Sequence, residues 1–406
     1  MEKKDYTIIK EGLAEFYIHK EDLDAIPSKS MNVFYNQRMK LNRDITNLAL
    51  LAYNKQYPQE GLIIVDSMAA SGVSAIRMVK ECKNIKKIYI NDINPEAVRI
   101  IKKNLVLNKV DRSKIEIELS KKDANYLFSE ISQENSSLIN QKSRQPNVIS
   151  IDPFGTPNLY VNSAFNAIQR EKGLMCITAT DTAVLFGVRP EACIRKYMSK
   201  PLHTEYCKEI GARILIYFIS RIANINKMGI IPLLTFYANH FIRIFALTLK
   251  NKNKIAKAFS NYGFIIHCSC GYRTTINDDI LNLPKKCPSC GTSENLKFAG
   301  PLWLDKLHEH KFLREIIDLN DNSQYINKKR INKILNYALE ELDMSISYYD
   351  IHQFSKKLKL KNVPKMDRII TAIQEQGYRA SRTHFDFKSI KTDMELLKIK
   401  KLLLEL

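Results

Sequence analysis

No run in this 406-residue sequence is both apolar and long enough to span a bilayer. The longest candidate, "ARILIYFISRIANI" at 212–225, is interrupted by Arg213 and Arg221, so a membrane protein is excluded. The opening "MEKKDYTIIKEG" mixes charges from its second residue and lacks the apolar stretch of a secretory signal. A cytoplasmic protein is expected. Internal repeats and low-complexity tracts are missing, which excludes a repeat array. Acid is scarce as well: 43 Asp and Glu stand against 63 Lys and Arg, giving a net charge of +20 and a pI near 9.4. The excess is not one detachable tail, because 27 bases and 18 acids leave +9 from residue 251 onward and +11 before it. That balance suits a protein that meets a polyanion.

What is present is a large α/β chain with room for two or three domains. Between residues 62 and 181, apolar strands such as "LIIVD", "KKIYIND" and "VISID" alternate with helical patterns such as "VSAIRMVKEC" and "PEAVRIIKKNLVLN". Such alternation predicts a mostly parallel, Rossmann-like sheet covered by helices on both faces. Its strands end in Asp66, Asp92, Asp123, Asp152 and Asp181, on the edge where sheets of this kind bind ligands. A long helix at 204–227 and the run "IIPLLTFYANHFIRIFALTLK" should close the sheet with an antiparallel pair. Four segments follow: a lead-in at 1–60 with a helix from about Met39 to Tyr53, an α/β sheet domain at 61–250, a cysteine-bearing module at 251–304, and a mainly helical domain at 305–406. Within the last, the order helix, turn, helix, strand resembles a winged helix.

The turn "DSMAASGVSAIR" is short of glycine, with Gly72 alone. A pyrophosphate ligand needs more bare N–H groups, so a dinucleotide is disfavoured. Ala69, Ala70 and Ser71 still let the backbone approach a ligand closely. At the next strand end, Asp92 beside Asn91 can grip both hydroxyls of a ribose. At the third, Asp123 can accept from the exocyclic amine of an adenine, with Ala124 packing beside the ring. Each acid alone reads as a helix N-cap. In this order, at three successive strand ends, they describe a site for S-adenosylmethionine.

"VISIDPFGTP" adds the substrate side. An exocyclic amine of a base is a poor nucleophile because its lone pair is delocalised into the ring. The Asp152 carboxylate can accept one N–H and receive the proton, the Pro153 carbonyl can accept the other, and the Phe154 ring can hold a flipped base in line. Asp-Pro-Phe-Gly is similar to the Asp/Asn-Pro-Pro-aromatic signature of amino-group nucleic-acid methyltransferases. With "EGLAEFY", "VFYNQRMKLNRDIT", "NDINPEAV", "TATDTAVL", "GPLWLDKLH" and "GYRASRTHFDFKSIKTD" in order, the chain resembles the archaeal type of the tRNA (guanine-26 N2)-dimethyltransferase family over residues 10 to 393. The resemblance implies a tRNA substrate and S-adenosylmethionine bound by Arg43, Arg77, Asp92, Asp123 and Ala124. It also implies that Phe34 joins Phe154 around the guanine while Asp152 does the proton work. A planar Arg43 cation suits the cofactor's carboxylate; for Arg77, ion pairing is the alternative.

"HCSCGYR" and "CPSCG" predict a structural zinc, since four ligands leave no open position. Cys287 and Cys290 form one knuckle. Cys270 completes a third ligand, and the fourth is Cys268 or His267, with thiolate favoured on charge. The family usually has Cys-x-x-Cys in the first half, and this chain departs from it. In the tail, Arg379, Arg382, His384, Lys388 and Lys391 interleave with Tyr378, Phe385 and Phe387, as phosphate contacts and stacking on a folded RNA would require. No stable protein partner is implied. Competing readings are a sister enzyme with another target base and a non-catalytic zinc-containing RNA-binding protein; the retained acid and ring at Asp152 and Phe154 argue against the latter.

Overall fold

The computed structural model describes residues 6–22, 31, 33–137, 145–277, 283–360 and 362–406. Two antiparallel strands, β1 (Tyr6–Glu11) and β2 (Ala14–His19), lead into α1 (Lys40–Gln56). Strand and helix then alternate through β3 (Leu62–Asp66), α2 (Val73–Glu81), β4 (Ile85–Asn91), α3 (Pro95–Leu107), β5 (Glu116–Ser120), α4 (Ala124–Ser137), β6 (Val148–Ile151), α5 (Asn158–Ala167) and β7 (Leu174–Ala179). Two short helices, α6 (Thr182–Leu185) and α7 (Pro190–Tyr197), precede the long α8 (Cys207–Ile225). A hairpin of β8 (Gly229–Ala238) and β9 (Phe241–Leu249) follows.

These strands form one seven-stranded sheet in the order β5-β4-β3-β6-β7-β9-β8. Pairing is parallel from β5 to β7 and antiparallel at β7–β9 and β9–β8, as the sequence pattern predicts. Strands β6 and β7 are buried at every residue and read as unbroken apolar runs, whereas edge strand β5 is only half-buried. The chain moves outward from β3 through β4 to β5 and then returns to β6 on the other side. That reversal opens a crevice at the carboxyl ends of β3 and β6.

The cysteine-bearing module contains α9 (Lys252–Lys257) and a sheet ordered β11-β10-β12, made of β10 (Tyr262–Cys268), β11 (Arg273–Ile276) and β12 (Leu296–Trp303). Ile265, Leu302 and Trp303 join the core that surrounds α8. The expected boundary at 305 differs from the packing. Helices α10 (His310–Asp321) and α11 (Lys328–Glu340) bury Phe312, Leu313, Ile316 and Leu335 in one core with Ile45 and Leu48 of α1. Their apolar stripes complete the catalytic layer, because α1 would otherwise expose its outer face.

The separate last unit starts later. It comprises β13 (Tyr349–Asp350), α12 (Ile351–Lys357), α13 (Met366–Glu375), β14 (Ala380–Arg382), β15 (Ser389–Thr392) and α14 (Leu396–Glu405). Ile351, Ile369, Ile373, Ile390 and Leu402 form its own core, and two helices followed by a β-hairpin match the winged-helix order. Among the described residues, no helix is long and apolar enough to cross a membrane.

The tail's expected RNA contacts divide. Arg379, Phe387 and Lys388 are exposed, but His384, Phe385 and Lys391 are buried. Lys391 Nζ lies 2.8 Å from Glu209 Oε1 and 3.5 Å from Glu341 Oε2, and His384 Nδ1 pairs with Glu341 Oε1. These groups join the last unit to α8 and α11, which removes them from any RNA surface. His308 sits against His384 in the same cluster. The Thr235 amide donates to His308 Nδ1 at 3.2 Å, leaving the ring proton on Nε2. With Lys391 supplying the positive charge, the cluster is an ion-paired joint rather than a metal centre.

Candidate active site

A cavity of about 550 Å³ opens beyond β3, β4 and β6. On one side lie Ala70, Asp92, Asp123 and Ala124; on the other lie Asp152, Pro153, Phe154 and Phe34. The turn after β3 is shaped by Gly72, whose φ of +78° is left-handed and whose added Cβ would come within 3.0 Å of Ile101. Ala70 N donates to Asp92 Oδ2 at 2.7 Å, and Asn94 N donates to Oδ1 at 2.9 Å. Burial raises the Asp92 carboxyl above its ordinary range, against the pull of those amides. Asn91 points elsewhere: its Nδ2 donates to Ser67 O at 3.0 Å and Lys122 O at 2.9 Å, stapling three strand ends together. Asp123 caps α4, accepting from Asn125 N at 2.8 Å, and also faces the cavity.

Asp152 accepts from Asn42 Nδ2 at 3.4 Å. Removal from water raises its carboxyl above the usual range, while Arg243 and a hydrogen bond from Thr178 pull it back. The neighbouring Asp66 is pushed up to about 7, by burial first and then by the charge of Asp152. Asp66 therefore holds a proton more tightly than an ordinary carboxyl, and the negative charge of the pair settles on Asp152. Behind both lies Arg243, buried, donating to Thr178 Oγ1 at 2.7 Å. At the mouth, Phe34 and Phe154 touch edge to face with centroids 4.3 Å apart, and Phe154 is 41% exposed. A base enters between them only when the rings part.

The structure does not bring Arg43 and Arg77 to the cavity wall. Arg43 grips Glu11 with Nε and Nη2 at 2.6 and 2.7 Å. Arg77, wholly buried, meets Glu11 Oε1 and Asp44 Oδ1 at 2.8 Å each, and Glu81 Oε1 also at 2.8 Å. Burial alone would raise the Glu11 carboxyl, but the two guanidinium groups outweigh it and hold the group at about 2. Tyr35 OH donates to Glu11 and Arg43 Nη2 donates to Asn36 O, so this network seats the segment that carries Phe34. Glu11→Gln is expected to cost about 3–5 kcal/mol by leaving buried cations underpaired. Urea unfolding measures it, and a loss below about 1 kcal/mol, the scale of an exposed pair, would refute the network's role.

Residues that sequence reasoning passed over include Asn36, Thr178, His240 and Arg243. The only signal for Arg243 is a charged side chain inside an otherwise apolar strand run, and for His240 a ring at the turn between two such runs. Asp181, the fifth strand-end acid, is bound by Lys196 Nζ at 3.1 Å and Tyr197 OH at 2.8 Å and serves packing.

In the cysteine module, Cys268 Sγ lies 3.7 Å from Cys290 Sγ, and Cys270 Sγ lies 3.6 Å from Cys287 Sγ. All four sulfurs fall within 4.8 Å of one another. Zinc–sulfur bonds of about 2.3 Å give a tetrahedron with edges of about 3.8 Å, so this donor set fits a closed zinc site. His267 Nδ1 is instead bonded to Tyr206 OH at 2.9 Å.

The family model for N2,N2-dimethylguanosine tRNA methyltransferases matches residues 14–404. A tRNA (guanine(26)-N(2))-dimethyltransferase of Methanosphaera stadtmanae is 37% identical over 99% of this chain and 97% of its own length. The enzyme of that name from Methanocaldococcus jannaschii is 32% identical over 96% of each chain. Among solved structures, Trm1 from Pyrococcus horikoshii with S-adenosyl-L-methionine superposes with a TM-score of 0.81 at 30% identity, covering 98% of this chain and 99% of that one. A family model matched over nearly the whole chain, and relatives 30% or more identical over almost their full length, show that the chain belongs to the N2,N2-dimethylguanosine tRNA methyltransferase family.

Proposed function

We propose that this protein methylates the exocyclic N2 of guanine 26 in tRNA, once or twice, at the cavity between Asp92 and Asp152. The observation that carries the reading is one cavity with two chemistries: acids suited to an adenosine on one side, and an acid, a proline carbonyl and two rings on the other. Asp92 accepts from ribose hydroxyls, Asp123 from the adenine amine, and Ala124 packs beside the ring. Arg43 and Arg77, neutralised by Glu11, Asp44 and Glu81, act on the site indirectly by seating the segment that carries Phe34. S-adenosylmethionine, when bound, supplies the electrophilic methyl carbon, which passes to N2 as its bond to sulfur breaks.

The chain's own residues prepare the nitrogen. The Asp152 carboxylate accepts one N–H, the Pro153 carbonyl the other, and the lone pair is drawn out of conjugation. Asp152 then receives the proton released as the N–C bond forms, and loses it to water when the product leaves. Phe34 and Phe154 hold the extruded base and exclude solvent. Cys268, Cys270, Cys287 and Cys290 hold a structural zinc. The last unit, through Arg379 and Lys388, meets tRNA phosphates together with the zinc module. Buried, unpaired Cys176 and Cys193 suit a reducing cytoplasm.

Unmodified tRNA transcripts incubated with labelled S-adenosylmethionine are expected to acquire label at nucleotide 26, as N2-methyl- and N2,N2-dimethylguanosine. Mass spectrometry of digested nucleosides reads this directly. A guanine 26 that stays unlabelled, or a guanosine-26→adenosine transcript labelled equally well, would overturn the reading.

A further inference from the structure

We propose that His240 selects guanine by donating a hydrogen bond to the oxygen on the six-position of the base. The inference rests on the reading in which Asp152 receives the N2 amine. His240 lies at the tip of the hairpin between β8 and β9, half-buried, and lines the same cavity as Asp152, Phe34 and Phe154. Its protonation is set by a neighbour whose orientation leaves no choice. Arg38 N donates to Asn36 Oδ1 at 2.9 Å, which fixes the amide of Asn36 with its nitrogen on the other side. That nitrogen, Nδ2, lies 3.3 Å from His240 Nε2. An amide nitrogen only donates, so Nε2 must offer its lone pair, and the proton of the neutral ring belongs on Nδ1. Burial and the charge of Arg38 both disfavour a second proton, against the pull of Asp152.

His240 lines the cavity beside Asp152 and Pro153, and in the proposed arrangement its Nδ1–H is the donor that meets the base while Asp152 and the Pro153 carbonyl accept. Guanine presents the complement: donors at N2 and N1, and an acceptor at the six-position oxygen. Without a donor there, that oxygen would be stripped of water and left unsatisfied between the two rings. Adenine places an amine at the same point, so donor would meet donor and the base would be rejected. The arrangement also explains why a hairpin at the far edge of the sheet reaches back to the lead-in segment. The Asn36–His240 contact joins residues 204 positions apart, and it sits where one ring nitrogen can be aimed by the other.

The test uses tRNA assembled from ligated fragments with guanine or 2-aminopurine at nucleotide 26. 2-Aminopurine keeps the reacting amine and lacks the six-position oxygen. Wild type, His240→Ala and His240→Gln are compared by kcat/KM for labelled methyl transfer to each. His240→Ala is expected to lose about tenfold to a hundredfold on guanine and less than about twofold on 2-aminopurine. His240→Gln, which restores an N–H donor, should recover part of the loss on guanine alone. Equal losses on both bases would overturn the proposal, as would a Gln variant that recovers both. A wild-type protein that leaves guanine 26 unmethylated would instead sink the reading beneath it, so the two failures are distinguishable.

Discussion

Asp152→Ala is expected to lower the rate of methyl transfer by about 10²- to 10⁴-fold, the range for removing a positioned proton acceptor. Binding of S-adenosylmethionine should change little, because Asp92, Asp123 and Ala124 lie across the cavity and share no hydrogen bond with Asp152. Single-turnover methylation with saturating tRNA measures the first quantity, and calorimetric titration with the cofactor measures the second. Asp152→Asn separates charge from shape: it keeps the volume and one acceptor oxygen but cannot take up a proton. The wild-type rate should climb with pH as Asp152 ionises, with its midpoint above the ordinary carboxylate range because burial raises that group. Asp66, pushed up to about 7, adds a second rise or fall in the same profile through its charge on Asp152. An Asp152→Ala protein that methylates at the parental rate would dispose of the mechanism, whatever its cofactor affinity.

Removing zinc is expected to lower the melting temperature and to strip protection from the cysteine module before chemistry is affected. Structural zinc is worth about 10–16 kcal/mol in free finger peptides, which sets the upper limit. The loss here is smaller and local, since β10 and β12 remain anchored through Ile265, Leu302 and Trp303 to the core around α8. The turn at Gly271, with φ of +103°, and β11 beyond it depend most on the metal. Without the cation the four sulfurs, held 3.6 to 3.7 Å apart, take up protons and lose the common centre that ties the two cysteine turns together. Differential scanning calorimetry and hydrogen exchange on chelated and zinc-loaded protein provide the comparison, with Cys287→Ser as a genetic counterpart. A verified zinc-free preparation with an unchanged melting curve would refute the structural role. Early loss of single-turnover activity with the module still protected would point to zinc at the chemistry instead.

Much of the catalytic side was legible in the chain because it follows local rules. Strand-end acids after short apolar runs, a small-residue turn before a helix, and an acid–proline–ring step are patterns within ten residues, and Asp92, Asp123, Asp152 and Phe154 all reach the cavity. The Cys-x-x-Cys-Gly knuckle is equally local. The departure in the first half, between His267 and Cys268, was not decidable from spacing, since both residues lie within reach of Cys270. Burial of Cys268 beside Cys290 and the bond from His267 to Tyr206 come from the pairing of β10 with β12 and α8.

The sequence by itself determined the alternation of strand and helix, the edge of the sheet at which a ligand sits, the basic charge and the cysteine cluster, because hydrophobic period and turn chemistry act over a few residues. Only the tertiary structure decided which charged side chains serve the cavity and which serve the core. Arg77 could be a cofactor ligand or an ion-pair partner in the sequence and is enclosed by Glu11, Asp44 and Glu81; Lys391 looks like an RNA contact but is paired with Glu209. His240 looks like a lone ring in a hairpin but is aimed by Asn36. A buried charge or a ring proton takes its role from whichever opposite group the packing brings within about 3 Å, and those partners arrive from segments that no local pattern connects.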